Sequence, residues 1–123
     1  MLSSSNLIAF VATTNADKAR AFYEGKLGLR LLEDSPFALV FDGNGVMLRV
    51  LKVQSLNPAT HTTLGWHVTD IRATITALSQ NGVVFERYPR LSQDPLGIWS
   101  SPSGAHVAWF KDPDGNVLSL TQT

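Results

Sequence analysis

Asn15-Ala16-Asp17-Lys18-Ala19-Arg20-Ala21-Phe22-Tyr23-Glu24-Gly25-Lys26-Leu27-Gly28 reads as one helix with both ends marked. Ala16, Ala19, Phe22 or Tyr23, and Leu27 recur at helical spacing. Asn15 can cap the start, because its side-chain oxygen can accept an otherwise unpartnered N–H of the first turn. Asp17 lies in the first turn and Lys26 in the last, as the helix dipole prefers. Gly28 is a C-terminal stop. Gly25 inside the helix costs roughly 1 kcal/mol relative to Ala, so something else must hold the last turn. Residues 7–12, just upstream, form a short apolar run that reads as a buried strand. Downstream, strands are predicted over residues 29–32, 37–41 and 46–53. Asp42-Gly43-Asn44-Gly45 between the last two is a hairpin turn.

The pattern then restarts. Residues 54–61 read as a polar linker containing Asn57-Pro58, and residues 63–68 as a strand. Asp70 is the second cap, Ile71, Ile75 and Leu78 mark one helical face, and Asn81-Gly82 ends the helix. Further strands are predicted over 83–86, 98–100, 105–111 and 116–121. Turns fall at Ser101-Pro102-Ser103-Gly104 and Asp112-Pro113-Asp114-Gly115. The caps Asn15 and Asp70 are 55 positions apart, and the stops Gly28 and Gly82 are 54 apart. This periodicity predicts an α+β fold of two strand-helix-three-strand modules. Module one covers about residues 6–53 and module two about 62–121, within one domain spanning 1–123. Each sheet has one face for its helix, and the other needs cover. Two such modules can curl into a half-open barrel around a ligand-binding cleft.

Composition narrows the function. A length of 123 residues suits one domain, and a hydrophobic fraction of 44% predicts a packed core. The formal net charge of zero argues against the basic face that nucleic-acid binding needs. It also argues against an electrostatic membrane anchor. With no cysteine, thiolate metal sites, disulfides and cysteine nucleophiles are excluded. Met1-Leu2-Ser3-Ser4-Ser5 carries no basic run, so no secretion signal is read and a cytoplasmic location is expected. No stretch has the apolar length of a membrane-spanning helix.

Phe10-Val11, residues 15–23 and Leu27-Gly28-Leu29 resemble the opening of a vicinal-oxygen-chelate protein. Trp109-Phe110-Lys111-Asp112-Pro113-Asp114-Gly115-Asn116, followed by Val117-Leu118-Ser119-Leu120, resembles that superfamily's closing hairpin. The match runs in order along nearly the whole chain and implies the glyoxalase and bleomycin-resistance fold. It does not select an activity, because this fold hosts isomerases, dioxygenases, thiol transferases, epimerases and drug-binding proteins. Pairing into a homodimer is a further implication.

In metal-using relatives, the first and last strands of each module carry His, Glu or Gln ligands. By resemblance those positions fall on Ile8, Arg49, Thr63 and Ser119. Ile8 has no donor atom, Arg49 is a permanent cation, and the other two are neutral hydroxyls. Hard divalent ions need carboxylates or imidazoles, so no metal and no other cofactor is expected. His61 and His67 do not rescue a site, since six strand residues separate them by about 20 Å. His106 faces away from Trp109.

Alternation places Ile8, Phe10, Met47 and Arg49 on the open face of module one. Thr63, Gly65, His67, Val107 and Trp109 take the corresponding face of module two. By resemblance Trp99 points the same way. Arg49 needs an anion, either a ligand or an internal carboxylate such as Glu86. Asp112 and Asp114 read as turn residues, and each aromatic could simply be core. No serine-nucleophile elbow, phosphate loop or dinucleotide fingerprint occurs. The expected function is metal-free binding of a small aromatic or anionic molecule, for resistance or sequestration. Its rivals are a superfamily enzyme (lyase, dioxygenase or isomerase) with an atypical site, with His67 as the available acid or base, and a partner-binding module.

Overall fold

Strand β1 (Ile8–Thr13) turns into the first helix through a clasp between Thr13 and Asn15. The Thr13 hydroxyl donates to the Asn15 carbonyl at 3.0 Å and accepts from the Asn15 N–H at 3.1 Å. Asn15 Oδ1 then accepts from the Lys18 N–H at 3.1 Å, which is the expected cap. The computed structural model describes residues 1–123, and no helix in it is long and apolar enough to cross a membrane.

Helix α1 (Ala16–Arg20) does not run to Gly28 as a regular α-helix. Residues Ala21–Lys26 wind as a π-helix, with the Leu27 N–H bonded to the Phe22 carbonyl at 2.9 Å. This corrects the single-helix reading. A π turn rotates less per residue, so the neighbours Phe22 and Tyr23 both reach the core, at 5% and 0% exposure. Tyr23 lies 5.2 Å from Phe22 and 5.8 Å from Phe41 between ring centroids. Burying such rings is worth about 1.5–3 kcal/mol each, more than the glycine penalty. Gly28, at φ +75°, ends the segment as expected.

Strands β2 (Arg30–Asp34), β3 (Ala38–Gly43) and β4 (Val46–Lys52) complete a four-stranded sheet in the order β1-β4-β3-β2. β1 runs parallel to β4, and the other pairs are antiparallel. Asn44 and Gly45 have φ of 56° and 91°, the double positive φ of a type I′ hairpin turn. Val11, Leu39, Phe41, Leu48 and Val50 are buried on one face with Ala19, Phe22 and Tyr23 of the helical segment.

The second module repeats this plan. β5 (Thr62–His67) leads to α2 (Ile71–Gln80), capped by Asp70 Oδ1 accepting from the Ala73 N–H at 3.1 Å. β6 (Trp99–Ser100), β7 (His106–Lys111) and β8 (Val117–Gln122) follow, in the sheet order β5-β8-β7-β6. Ile71 and Ile75 bury the helix face, and Ala108, Phe110, Leu118 and Leu120 are buried in the strands. The chain thus consists of two βαβββ modules, within two compact units, Met1–Asn57 and Pro58–Thr123.

The strand expected over residues 83–86 does not form. Phe85 makes one isolated bridge to Phe110, and the Glu86 N–H donates to the Trp109 carbonyl at 2.8 Å. β6 pairs with β7 at His106 and Val107. The Glu86 carbonyl is also taken, by Gln93 Nε2 at 3.1 Å.

Candidate functional site

Period-two alternation leaves one face of each sheet without a helix, and the expected site residues lie on those faces. In the first module Ile8 stands beside Met47 and Phe10 beside Arg49, in parallel register. Ile8, Phe10 and Met47 are exposed and Arg49 is half-buried. Arg49 makes no ion pair. Glu86, suggested above as its partner, pairs instead with Lys111 of its own module at 3.6 Å.

In the second module the cross-strand rows are explicit. Gly65, Ser119 and Trp109 form one row, and His67, Thr121, Val107 and Trp99 form the next. Trp99 and Trp109 lie 6.1 Å apart between ring centroids, and Tyr88 meets Trp109 edge-on at 5.6 Å. Gly65 leaves room there for Ser119, whose Oγ would lie 2.8 Å from a Cβ at that position. His67 is exposed, with Nε2 2.9 Å from the Thr123 hydroxyl. His106 lies across the sheet from them, as expected, its Nδ1 2.9 Å from Ser100 Oγ.

Thr63 requires a correction. A bulge between Thr62 and Leu64 shifts the β5 register, and the Thr63 hydroxyl donates to the Val117 carbonyl at 3.2 Å. Thr62 takes the place beside Trp109, accepting from the indole N–H at 3.2 Å. Simple alternation could not find Thr62, because a bulge puts two neighbours opposite one partner.

Sequence reasoning also missed Tyr88 and Arg90. They sit on the loop between Glu86 and Trp99, which has no periodicity to read. The loop is fixed by two polar side chains. Gln93 Oε1 accepts from the Tyr88 N–H at 2.7 Å while its Nε2 reaches the Gly97 carbonyl at 2.8 Å. Asp94 Oδ1 accepts from the N–H groups of Leu96 and Ile98, both at 2.9 Å, and Oδ2 meets Arg72 of α2 at 2.9 Å. Burial pushes the Asp94 carboxyl upward. The N–H groups of Ile98 and Leu96 and the Arg72 guanidinium outweigh that and hold it below the ordinary carboxylate value. Asp94 therefore stabilises the fold fully above its unfolded value of about 3.9, and this is lost as pH falls through the still lower folded value. Asp94→Asn keeps an acceptor and removes the charge. We expect it to lower stability by about 1–2 kcal/mol at pH 7. In urea titrations that gap to the parent protein should close below about pH 4; a gap unchanged between pH 7 and pH 3 would contradict this assignment.

The donor set does not fit a divalent ion. Ile8 offers no electron pair, Arg49 repels a cation, the Thr63 hydroxyl is spent on a carbonyl, and Ser119 is one neutral hydroxyl beside Gly65. No three His, Asp or Glu side chains converge anywhere in the chain.

The sequence profile of the Glyoxalase/Bleomycin resistance protein/Dioxygenase superfamily matches residues 6–120. The chain belongs to this superfamily. Solved structures of the superfamily share its fold. A glyoxalase family protein from Enterococcus faecalis is 20% identical, with a TM-score of 0.76 over 98% of this chain and 99% of that one. Lactoylglutathione lyase from Agrobacterium tumefaciens is 16% identical, with a TM-score of 0.73 over 97% of this chain and 93% of that one. A glyoxalase/bleomycin resistance protein/dioxygenase from Nocardioides is 20% identical, with a TM-score of 0.71 over 97% and 84%. A search of curated proteins finds no match. At these identities the likeness extends to the fold alone, so activity has to be argued from the residues.

Proposed function

We propose that this superfamily member is a metal-free protein that binds and sequesters a small aromatic or anionic molecule. The observation that carries this reading is the aromatic platform of the second module, where Trp99, Trp109 and Tyr88 present adjoining rings on a helix-free face. Flat ring systems gain from stacked and edge-on contact with such a surface. Arg49 of the first module makes no ion pair and is by itself a candidate for gripping an anion in two-point fashion. The poor donor set at Ile8, Arg49, Thr63 and Ser119 supports binding without a metal. The exposed apolar side chains Ile8, Phe10 and Met47 support a homodimer in which a second copy covers them, and a cytoplasmic location goes with this reading.

Tryptophan-fluorescence titration against a library of aromatic and anionic compounds tests the proposal. All three tryptophans, Trp66, Trp99 and Trp109, lie in the second module and report on it. We expect at least one compound to quench emission with micromolar affinity. Trp109→Phe should weaken it about ten-fold, in line with an aromatic contact plus lost area. A library without a binder, or binding that Trp109→Phe leaves unchanged, would sink the proposal. Stoichiometric metal after gentle purification, with turnover of a hemithioacetal, would favour an enzyme.

A further inference from the structure

Of the expected site residues, Trp109 alone reaches a groove in the second unit. One lobe, of about 450 Å³, is lined by residues that include Pro58, Thr60, Tyr88, Arg90, Lys111 and Val117. An adjoining lobe of about 350 Å³ shares Thr60, Tyr88, Arg90 and Val117 and reaches Thr62 and Trp109. Each is large enough for a small organic ligand. No Asp or Glu lines either lobe, whereas the basic side chains of Arg90 and Lys111 do.

Those cations are available. Arg90 makes no ion pair; its guanidinium lies over the Tyr88 ring, 5.7 Å from the centroid, which leaves its N–H edge open to an anion. Lys111 has only the half-exposed contact with Glu86 at 3.6 Å, the kind of surface pair that contributes little. The Thr62 oxygen accepts the Trp109 indole proton at 3.2 Å, so its own O–H remains free to donate. The backbone is held ready, with the Tyr88 N–H on Gln93 and the Leu91 N–H on the Tyr88 carbonyl at 2.9 Å.

We propose that this groove is the ligand's anion subsite, and that the ligand is an aryl carboxylate. Its carboxylate meets Arg90 and Lys111 while its ring lies against Tyr88 and Trp109. This deepens the function proposed above and rests on it for the ring contact. It differs in placing the anionic end on Arg90 and Lys111 rather than on Arg49.

The probes are 2-naphthoate and its uncharged counterpart 2-naphthamide, titrated by tryptophan fluorescence. The variants are Arg90→Gln, Lys111→Gln and their double substitution, with circular dichroism confirming the fold. The parent protein should bind naphthoate at least about ten-fold more tightly than naphthamide, a typical ratio for a charge-assisted pair. The double variant should lose that preference and keep its naphthamide affinity. Equal binding of both probes by the parent would overturn the anion subsite and leave the aromatic platform standing. A preference that survives the double variant would overturn it too. Binding of neither probe at millimolar concentration would overturn both this inference and the reading it rests on.

Discussion

We expect Phe110→Ala to lower stability by about 3–5 kcal/mol, the usual loss for an aromatic ring truncated in a packed core. Phe110 is 1% exposed. Its ring stacks on Trp66 at 6.2 Å and meets Phe85 at 5.3 Å, so its removal leaves a cavity with neighbours on two sides. The loss would be a large part of a total of about 5–15 kcal/mol. The midpoint of thermal unfolding should fall by on the order of 10 °C. Trp66 supplies a local readout, since its emission should shift to the red before global unfolding. Phe85 bridges to Phe110, so the variant should also loosen the loop that carries Tyr88 and Arg90, and ligand affinity should fall with stability. A stability loss under about 1 kcal/mol would mean that the ring is not a core member.

The second large effect concerns the Asp112 carboxylate, which the sequence presents as an ordinary turn residue. It is 6% exposed. Oδ1 accepts from the Asp114 N–H at 3.0 Å and the Asn116 N–H at 2.9 Å, and Oδ2 accepts from Asn116 Nδ2 at 2.8 Å. Asn116 is itself 5% exposed. Asp112→Ala would strip these donors of their acceptor where water has little access, and we expect a loss of about 2–4 kcal/mol. Asp112→Asn keeps one oxygen but turns an N–H toward the Asn116 amide, so an intermediate loss is expected. Hydrogen exchange at the Asn116 amide should accelerate in both variants. Because this turn starts β8 at Val117, the groove beside Lys111 and Val117 should lose shape as well. Both variants remaining within about 0.5 kcal/mol of the parent would show that the backbone alone holds the turn.

These two predictions divide along a line that the chain itself draws. The sequence alone determined the repeated plan. Asn15 and Asp70 cap helices, Gly28 and Gly82 end the helical segments with positive φ, and Asn44-Gly45 makes the hairpin turn. Alternation also placed Ile8, Phe10, Met47 and Arg49 on one face, and Gly65, His67, Val107 and Trp109 on another. All of these signals are local, because each depends on a few neighbouring residues and a fixed period, which one chain can carry without a partner. The tertiary structure alone decided the rest. It opened the helix at Ala21–Lys26 into a π turn to bury two adjacent rings, and it reduced the expected strand over residues 83–86 to one bridge between Phe85 and Phe110. It gave the Trp109 indole N–H to Thr62 through a bulge in β5, and it brought Tyr88 and Arg90 beside Trp109 through Gln93 and Asp94. Those outcomes come from competition among segments far apart in sequence for the same core space and hydrogen-bond donors, and no local period records which of them wins.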